Sequence, residues 1–246
     1  MQADPGAQRA LLQVAELDTK VARLRHRRST LPENAKLAEL QATRTKLSEQ
    51  IVAAQTRRGD AEAEQERVEI DLAPARARLV RNQQKIDAGM IAAKALQPML
   101  DEIEHLRGRI ATLEDTQLDI MQQVEDETAT SDKLAAERKG IETAMRDLLV
   151  QRDKAARELD QQIEGFGEQR KTLAGRVPAE LIALYDKIAQ RAGGTGAAEL
   201  RARRGGGCGL ELDVSELKRQ ATAAPDQVLR CEECGRILVR TDNSGL

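Results

Sequence analysis

Tryptophan is absent from the 246-residue chain, and phenylalanine and tyrosine occur once each, as Phe166 and Tyr185. Aromatic side chains supply much of the buried area of a rounded core. A chain with only 1% aromatic residues is therefore poorly equipped to fill one. Also missing is any uncharged apolar run near the roughly 18 residues that a membrane span needs. Met1-Gln2-Ala3-Asp4-Pro5 has no basic stretch leading into an apolar one, so no secretory signal is read there. Charge of one sign is lacking as well: 39 Lys and Arg stand against 41 Asp and Glu, a formal net charge of −2. Cysteine is scarce, and all three residues fall in the last forty, two of them as Cys231-Glu232-Glu233-Cys234. Secreted disulfide frameworks look different. This clustering reads as a metal site in a reducing compartment, so the expected location is cytoplasmic.

What is abundant is charge of both signs, 33% of residues, interspersed with 40% apolar residues. Disorder needs few apolar residues and a high net charge, whereas this mixture suits long helices packed along a thin seam. The periodicity agrees. Ala10, Val14, Leu17, Val21 and Leu24 step by four and three, and Pro32 is well placed to open a new helix. From Leu37 to Ile86 one register carries Leu40, Leu47, Ile51, Ala54, Ala61, Val68, Leu72, Ala75 and Leu79, with Arg44, Arg58, Gln65 and Asn82 at its polar positions. From Leu96 to Leu173 a second runs through Ile103, Leu106, Ile110, Ile120, Leu134, Leu148, Leu159 and Phe166, with Gln162 and Gln169 among its polar members. A 3.5-residue repeat held this long is coiled-coil geometry.

The two arms match in length, 77 residues from Ala10 to Ile86 and 78 from Leu96 to Leu173, or about 115 Å each at 1.5 Å per residue. An intramolecular antiparallel hairpin follows, with arms at about 6–86 and 96–173, a tip at 87–95, and a kink at Leu31-Pro32. The alternative is an intermolecular dimer with helices running straight on. Gly89 and Pro98, close to the register change, favour the hairpin. Gly165-Phe166-Gly167 is a candidate flexible point. Arg23, Arg25, His26, Arg27 and Arg28 form a basic run that reads as a solvated face, with a phosphate-contacting stripe as the other reading. No aromatic residue stands by it for base stacking.

After residue 175 the pattern changes. Pro178 opens a short amphipathic helix, and Gly193-Gly194-Thr195-Gly196 closes a linker region, 176–198, without the spacing of a phosphate-binding loop. In 199–246, Asp213 caps a short helix with Glu216 three residues on. Val228-Leu229-Arg230 and Ile237-Leu238-Val239 then read as strands on either side of Cys231-x-x-Cys234-Gly235. A Cys-x-x-Cys-Gly between short strands is a zinc knuckle, and structural zinc takes four ligands in a tetrahedron. Cys208 is the second cysteine of the expected partner knuckle, whose first falls on Gly205. The competing readings are an ordinary turn with reduced thiols and a redox Cys-x-x-Cys. The second lacks the surrounding βαβ pattern.

This arrangement resembles the bacterial C4-type zinc-ribbon family of coiled-coil proteins. The likeness covers essentially the whole chain. It is carried most specifically by Val228 to Arg240 and by Leu113-Glu114-Asp115. The resemblance implies a mainly α fold: a long antiparallel coiled-coil hairpin (1–175) with a small C-terminal zinc-ribbon-like module. It also implies one zinc ion on Cys208, Cys231 and Cys234, with Gly205 at the fourth cysteine's position, where water, Glu232 or a neighbouring chain would have to serve. Some members of the family look like adaptors that bind proteins or RNA. The expected function is a non-enzymatic adaptor with protein partners, since no motif for hydrolysis, hydride transfer or phosphoryl transfer is present. The alternative is a nucleic-acid-binding regulator using Arg201, Arg203, Arg204, Arg230, Arg236 and Arg240. Between residues 200 and 240, eight basic residues against six acidic ones leave only +2, a weak electrostatic footprint for that role.

Overall fold

The computed structural model describes residues 1–246. Its elements run α1 (Pro5–Ser29), α2 (Pro32–Asp87), α3 (Ala93–Ala174), α4 (Ala179–Arg191), β1 (Ala197–Arg201), β2 (Arg204–Gly205), α5 (Val214–Thr222), β3 (Leu229–Arg230) and β4 (Ile237–Val239). The chain forms two compact units, Ala35–Leu148 and Met1–Asn34 with Leu149–Leu246.

The first unit is the long helical hairpin. The expected seam on α2 is the seam observed: Leu47, Ile51, Ala54, Ala61, Val68, Leu72, Ala75 and Asn82 are buried. Leu72 and Ala75 pack on Leu106 and Ile110. Ala61 and Val68 pack on Ile120. Residue numbers that rise on one helix and fall on the other define an antiparallel pair. Cross-helix ion pairs flank the seam. Arg44 Nε lies 3.0 Å from Glu142, Arg57 grips Glu127 through two bonds of 2.6 and 2.8 Å, and Arg76 meets Glu114 at 2.7 Å. Exposed pairs of this kind contribute little stability each, but their spacing agrees with the register. Gly89, at φ +66°, ends α2. Its N–H donates to Ile86 and that of Met90 to Lys85, the left-handed stop that frees the chain to reverse.

In the second unit Asp4 caps α1, accepting from the Gly6 and Ala7 N–H groups at 2.7 and 3.2 Å. The first half of α1 is part of a globular core rather than a coiled-coil arm. Leu11, Val14 and Ala15 are buried against Val177, Leu181, Tyr185, Ile188, Ala197, Ile237 and Val239. The α3 register also shifts here. Gln162 and Gln169 are exposed, while Ile163 and Arg170 turn inward. Here the helix contacts α1 and α4 rather than one partner helix, and its inward positions, Leu159, Ile163, Phe166, Arg170 and Leu173, keep the four-three stepping in a displaced register. Gly165-Phe166-Gly167 stays helical.

The four strands form one sheet in the order β2-β1-β4-β3, with β1 parallel to β4 and the outer pairs antiparallel. β1 starts at Ala197, inside the stretch read from sequence as linker. All three residues of β4 are buried because the sheet separates two cores. Alternation along the strand sends Ile237 and Val239 to the α1/α4 side. Leu238, with Leu200 of β1, goes to the side of Leu212 and Cys231. The ribbon and the helical core therefore share a wall.

Candidate metal centre

Two turns build the site, and they repeat one another. In the second, the Cys231 N–H donates to Arg236 at 2.9 Å, and the Gly235 N–H returns to the Cys231 carbonyl at 2.9 Å. In the first, the Gly205 N–H donates to Leu210 at 3.0 Å, and the Gly209 N–H returns to the Gly205 carbonyl at 2.8 Å. Gly209 and Gly235 sit at φ +74° and +69°, a region open to glycine at no steric cost. The first turn is thus a complete knuckle in backbone, with one sulfur missing. In sequence its trace is the repeated Cys-Gly, Cys208-Gly209 and Cys234-Gly235.

The sulfurs of Cys208, Cys231 and Cys234 all lie within 4.8 Å of one another, and Cys208 Sγ is 3.9 Å from Cys231 Sγ. Two thiolates on a tetrahedral zinc, each at about 2.3 Å, stand about 3.8 Å apart. A disulfide needs about 2.05 Å. Donor chemistry and spacing therefore fit zinc on three sides. Gly205 is buried, and a Cβ built on it would stand 3.3 Å from Cys208 Sγ, 3.7 Å from Leu238 and 3.8 Å from Leu212. A side chain starting there would enter the sulfur cluster, where a fourth ligand belongs. Glu232 does not serve. Its carboxylate pairs with Arg219 and groups with Asp213 and Glu216 instead.

Electrostatics divides the thiols. Burial pushes the Cys231 thiol up to about 11. Burial acts upward on Cys234 too, but the Arg236 N–H and guanidinium, with bonds from the other two thiols, hold it below the ordinary thiol value. Asp213 caps α5 as expected, accepting from the Glu216 N–H at 2.7 Å. Glu216 does not close the capping box, and instead accepts from the Glu232 N–H at 3.3 Å. That bond ties α5 to the knuckle.

The six arginines do not form one surface. Arg236 donates to the carbonyls of Thr195 at 3.1 Å, Gly207 at 3.3 Å and Ala192. Arg240 reaches the carbonyls of Gln220, Ala223, Ala224, Pro225 and Gln227 at 2.5–3.4 Å. Both are half-buried braces. Arg203 follows Ala202 in a tight turn where both have positive φ, and its Nε donates to Gly245 at 3.2 Å. Arg204 lies 3.7 Å from Glu211, Arg201 is exposed, and Arg230 Nε donates to the Gly235 carbonyl at 2.8 Å.

Residues 14–193 match the CT398-like coiled coil hairpin domain. The chain belongs to that family. Residues 204–238 match the C4-type zinc ribbon domain. This CT398-like chain is 34% identical over 247 residues to an uncharacterized protein of Mycobacterium tuberculosis, covering 98% of each. It is 27% identical to one of Mycobacterium leprae, over 91% of this chain and 96% of that one. A solved structure from Mycobacterium smegmatis superposes with a TM-score of 0.86 at 33% identity, covering 98% of this chain and all of that one. CT398 of Chlamydia trachomatis superposes at 0.74 with 17% identity, over 96% and 98% of the two chains, which shows the shared fold. No helix of the CT398-like chain is long and apolar enough to cross a membrane.

Proposed function

We propose that the chain is a non-enzymatic adaptor, a coiled-coil hairpin joined to a zinc-ribbon head, that binds protein partners in the cytoplasm. One observation supports the reading: the head is organised around two knuckle-shaped turns that gather three cysteine sulfurs, rather than around a convergent nucleophile, base and orienting group of the kind catalysis needs. Cys208, Cys231 and Cys234 are assigned to one zinc ion, and the fourth position, beside Gly205, to water or a donor from outside the three cysteines. Bound zinc would tie the two turns together and neutralise the thiolates, while the protein's part is to aim the sulfurs. Protein is preferred over nucleic acid as the partner because Arg236 and Arg240 spend their guanidinium N–H groups on backbone carbonyls. A phosphate backbone would have to compete for them.

The test is in-cell cross-linking with the tagged intact chain beside a Cys231→Ser/Cys234→Ser variant. Specific proteins captured by the intact chain and lost with the variant are expected. Capture of nothing above a folded control bait would refute the adaptor reading, and capture of nucleic acid in place of protein would favour the regulator.

A further inference from the structure

A cavity lies in the same unit beside the knuckle, with Cys234 of the sulfur cluster in its wall. It measures about 230 Å³ and is lined by Leu184, Lys187, Ile188, Arg191 and Ala192 of α4 and its C-cap, and by Arg230, Cys234 and Gly235 of the ribbon. Three cations converge on it, and no carboxylate lines it. None of the three has a carboxylate partner, whereas Arg170 is matched by Asp18 and Asp186, Arg204 by Glu211 and Arg219 by Glu232. Lys187 and Arg191 are four apart on one helix, a spacing at which like charges repel and destabilise the helix. Arg230 lines the cavity with them, its Nε fixed to the Gly235 carbonyl at 2.8 Å. A cost of this kind, kept in a concave place, is offset when an anion binds.

We infer that this cavity is the docking site for an acidic segment of a protein partner, a Glu or Asp side chain entering between Lys187, Arg191 and Arg230. The assignment rests on the adaptor reading and names the chemistry of its partner. Charge complementarity sets the sign. The apolar wall of Leu184 and Ile188 accommodates the methylene stem of a carboxylate side chain, which a free phosphate lacks. No aromatic residue lines the cavity, so it offers no stacking platform for a nucleobase. Arg230, counted from sequence among six arginines for nucleic acid, belongs here with two residues of α4 that the sequence reading did not single out.

The test is an NMR titration of the full-length zinc-loaded chain with an octa-glutamate peptide, followed on backbone amides. Shifts are expected at Lys187, Arg191, Arg230 and Gly235, weakening as salt rises from 50 to 500 mM. The charge-reversing Lys187→Glu/Arg191→Glu variant should lower affinity at least tenfold. Lys46→Glu/Lys133→Glu, the same change in net charge at exposed sites of the hairpin, should leave it within twofold. No shifts at these residues, or equal losses in the two variants, would overturn the site. Inorganic phosphate or an oligonucleotide producing the same shifts at lower concentration would overturn the acidic-peptide assignment. The in-cell capture experiment reads the adaptor function independently, so a failed titration with successful capture would remove this site and leave the function.

Discussion

Removing one oxygen atom tests the packing of the head. Tyr185 is fully buried, and its hydroxyl donates to Asp18 Oδ2 at 2.7 Å. Asp18 also accepts from Arg170 Nε at 2.6 Å and Nη2 at 3.3 Å, and the same Nη2 donates to Asp186 at 2.6 Å. The cluster joins α1, the end of α3 and α4. Tyr185→Phe keeps the ring, so no cavity cost arises, and Asp18 keeps Arg170, so no charge is orphaned. What goes is a hydrogen bond to a charged acceptor, worth about 1.5–3 kcal/mol. The Asp18 side chain is 16% exposed and that of Arg170 27%, so water replaces part of the loss and the low end, about 1.5–2 kcal/mol, is expected. Circular dichroism would mainly report the long helices, so the assay is native-state hydrogen exchange in α4. Amides between Leu181 and Ile188 should exchange about ten- to thirtyfold faster, at 1.4 kcal/mol per factor of ten. Adding Asp18→Asn should then cost less than it does alone, because the shared bond is already gone. Exchange unchanged within threefold, or fully additive effects, would refute the reasoning.

Gly205→Cys should restore a fourth thiolate: with about 10–16 kcal/mol for a four-ligand structural zinc, one ligand is worth about 3 kcal/mol, or roughly a hundredfold in affinity by chelator competition. Equal affinity of variant and parent would contradict the placement of the fourth position beside Gly205. Zinc affinity should also fall on acidification. Burial keeps the Cys231 thiol protonated below about 11, so zinc uptake must expel that proton, and apparent affinity should drop about tenfold per pH unit from 8 to 6 for each proton released; a flat profile would exclude Cys231 as a ligand. Arg240→Ala and Arg240→Lys should both destabilise the head by about 2–4 kcal/mol, since a lysine has no planar fork to satisfy several carbonyls. Unchanged amide exchange around Gln220 to Gln227 would show that Arg240 is not a brace.

Where one helix faces one helix, sequence period and burial agree residue by residue. Leu47 to Asn82 and Ile103 to Ile120 needed only their spacing to be placed. The sulfur cluster was legible for the same local reason, since Cys-x-x-Cys-Gly encodes its own turn. What lay hidden depends on distant partners. Ala197-Ala198-Glu199-Leu200-Arg201 carries no β-branched residue, yet forms a strand because β4 and β2 flank it and two cores cover it, and context outweighs propensity in sheets. Leu11, as fully buried as Val14, lay beside the 3-4 stripe that was read there. Arg170 lies outside the register read for α3, and it turns inward to meet Asp18 and Asp186.

The pairing of the chain's beginning with its last strands sets an order of assembly. Ala3 donates to Asp226, Val228 donates to Met1, and Gln8 reaches Pro225, 217 residues away. During synthesis at about 5–20 residues per second, Leu11 and Val14 emerge some 10–45 s before Ile237 and Val239, the strand residues that cover them. The residues of the hairpin unit, Ala35–Leu148, are all made within that interval and need nothing from the far end of the chain. The head therefore closes after the hairpin, and until β4 is made an apolar face of α1 stays open to chaperones and to other nascent chains.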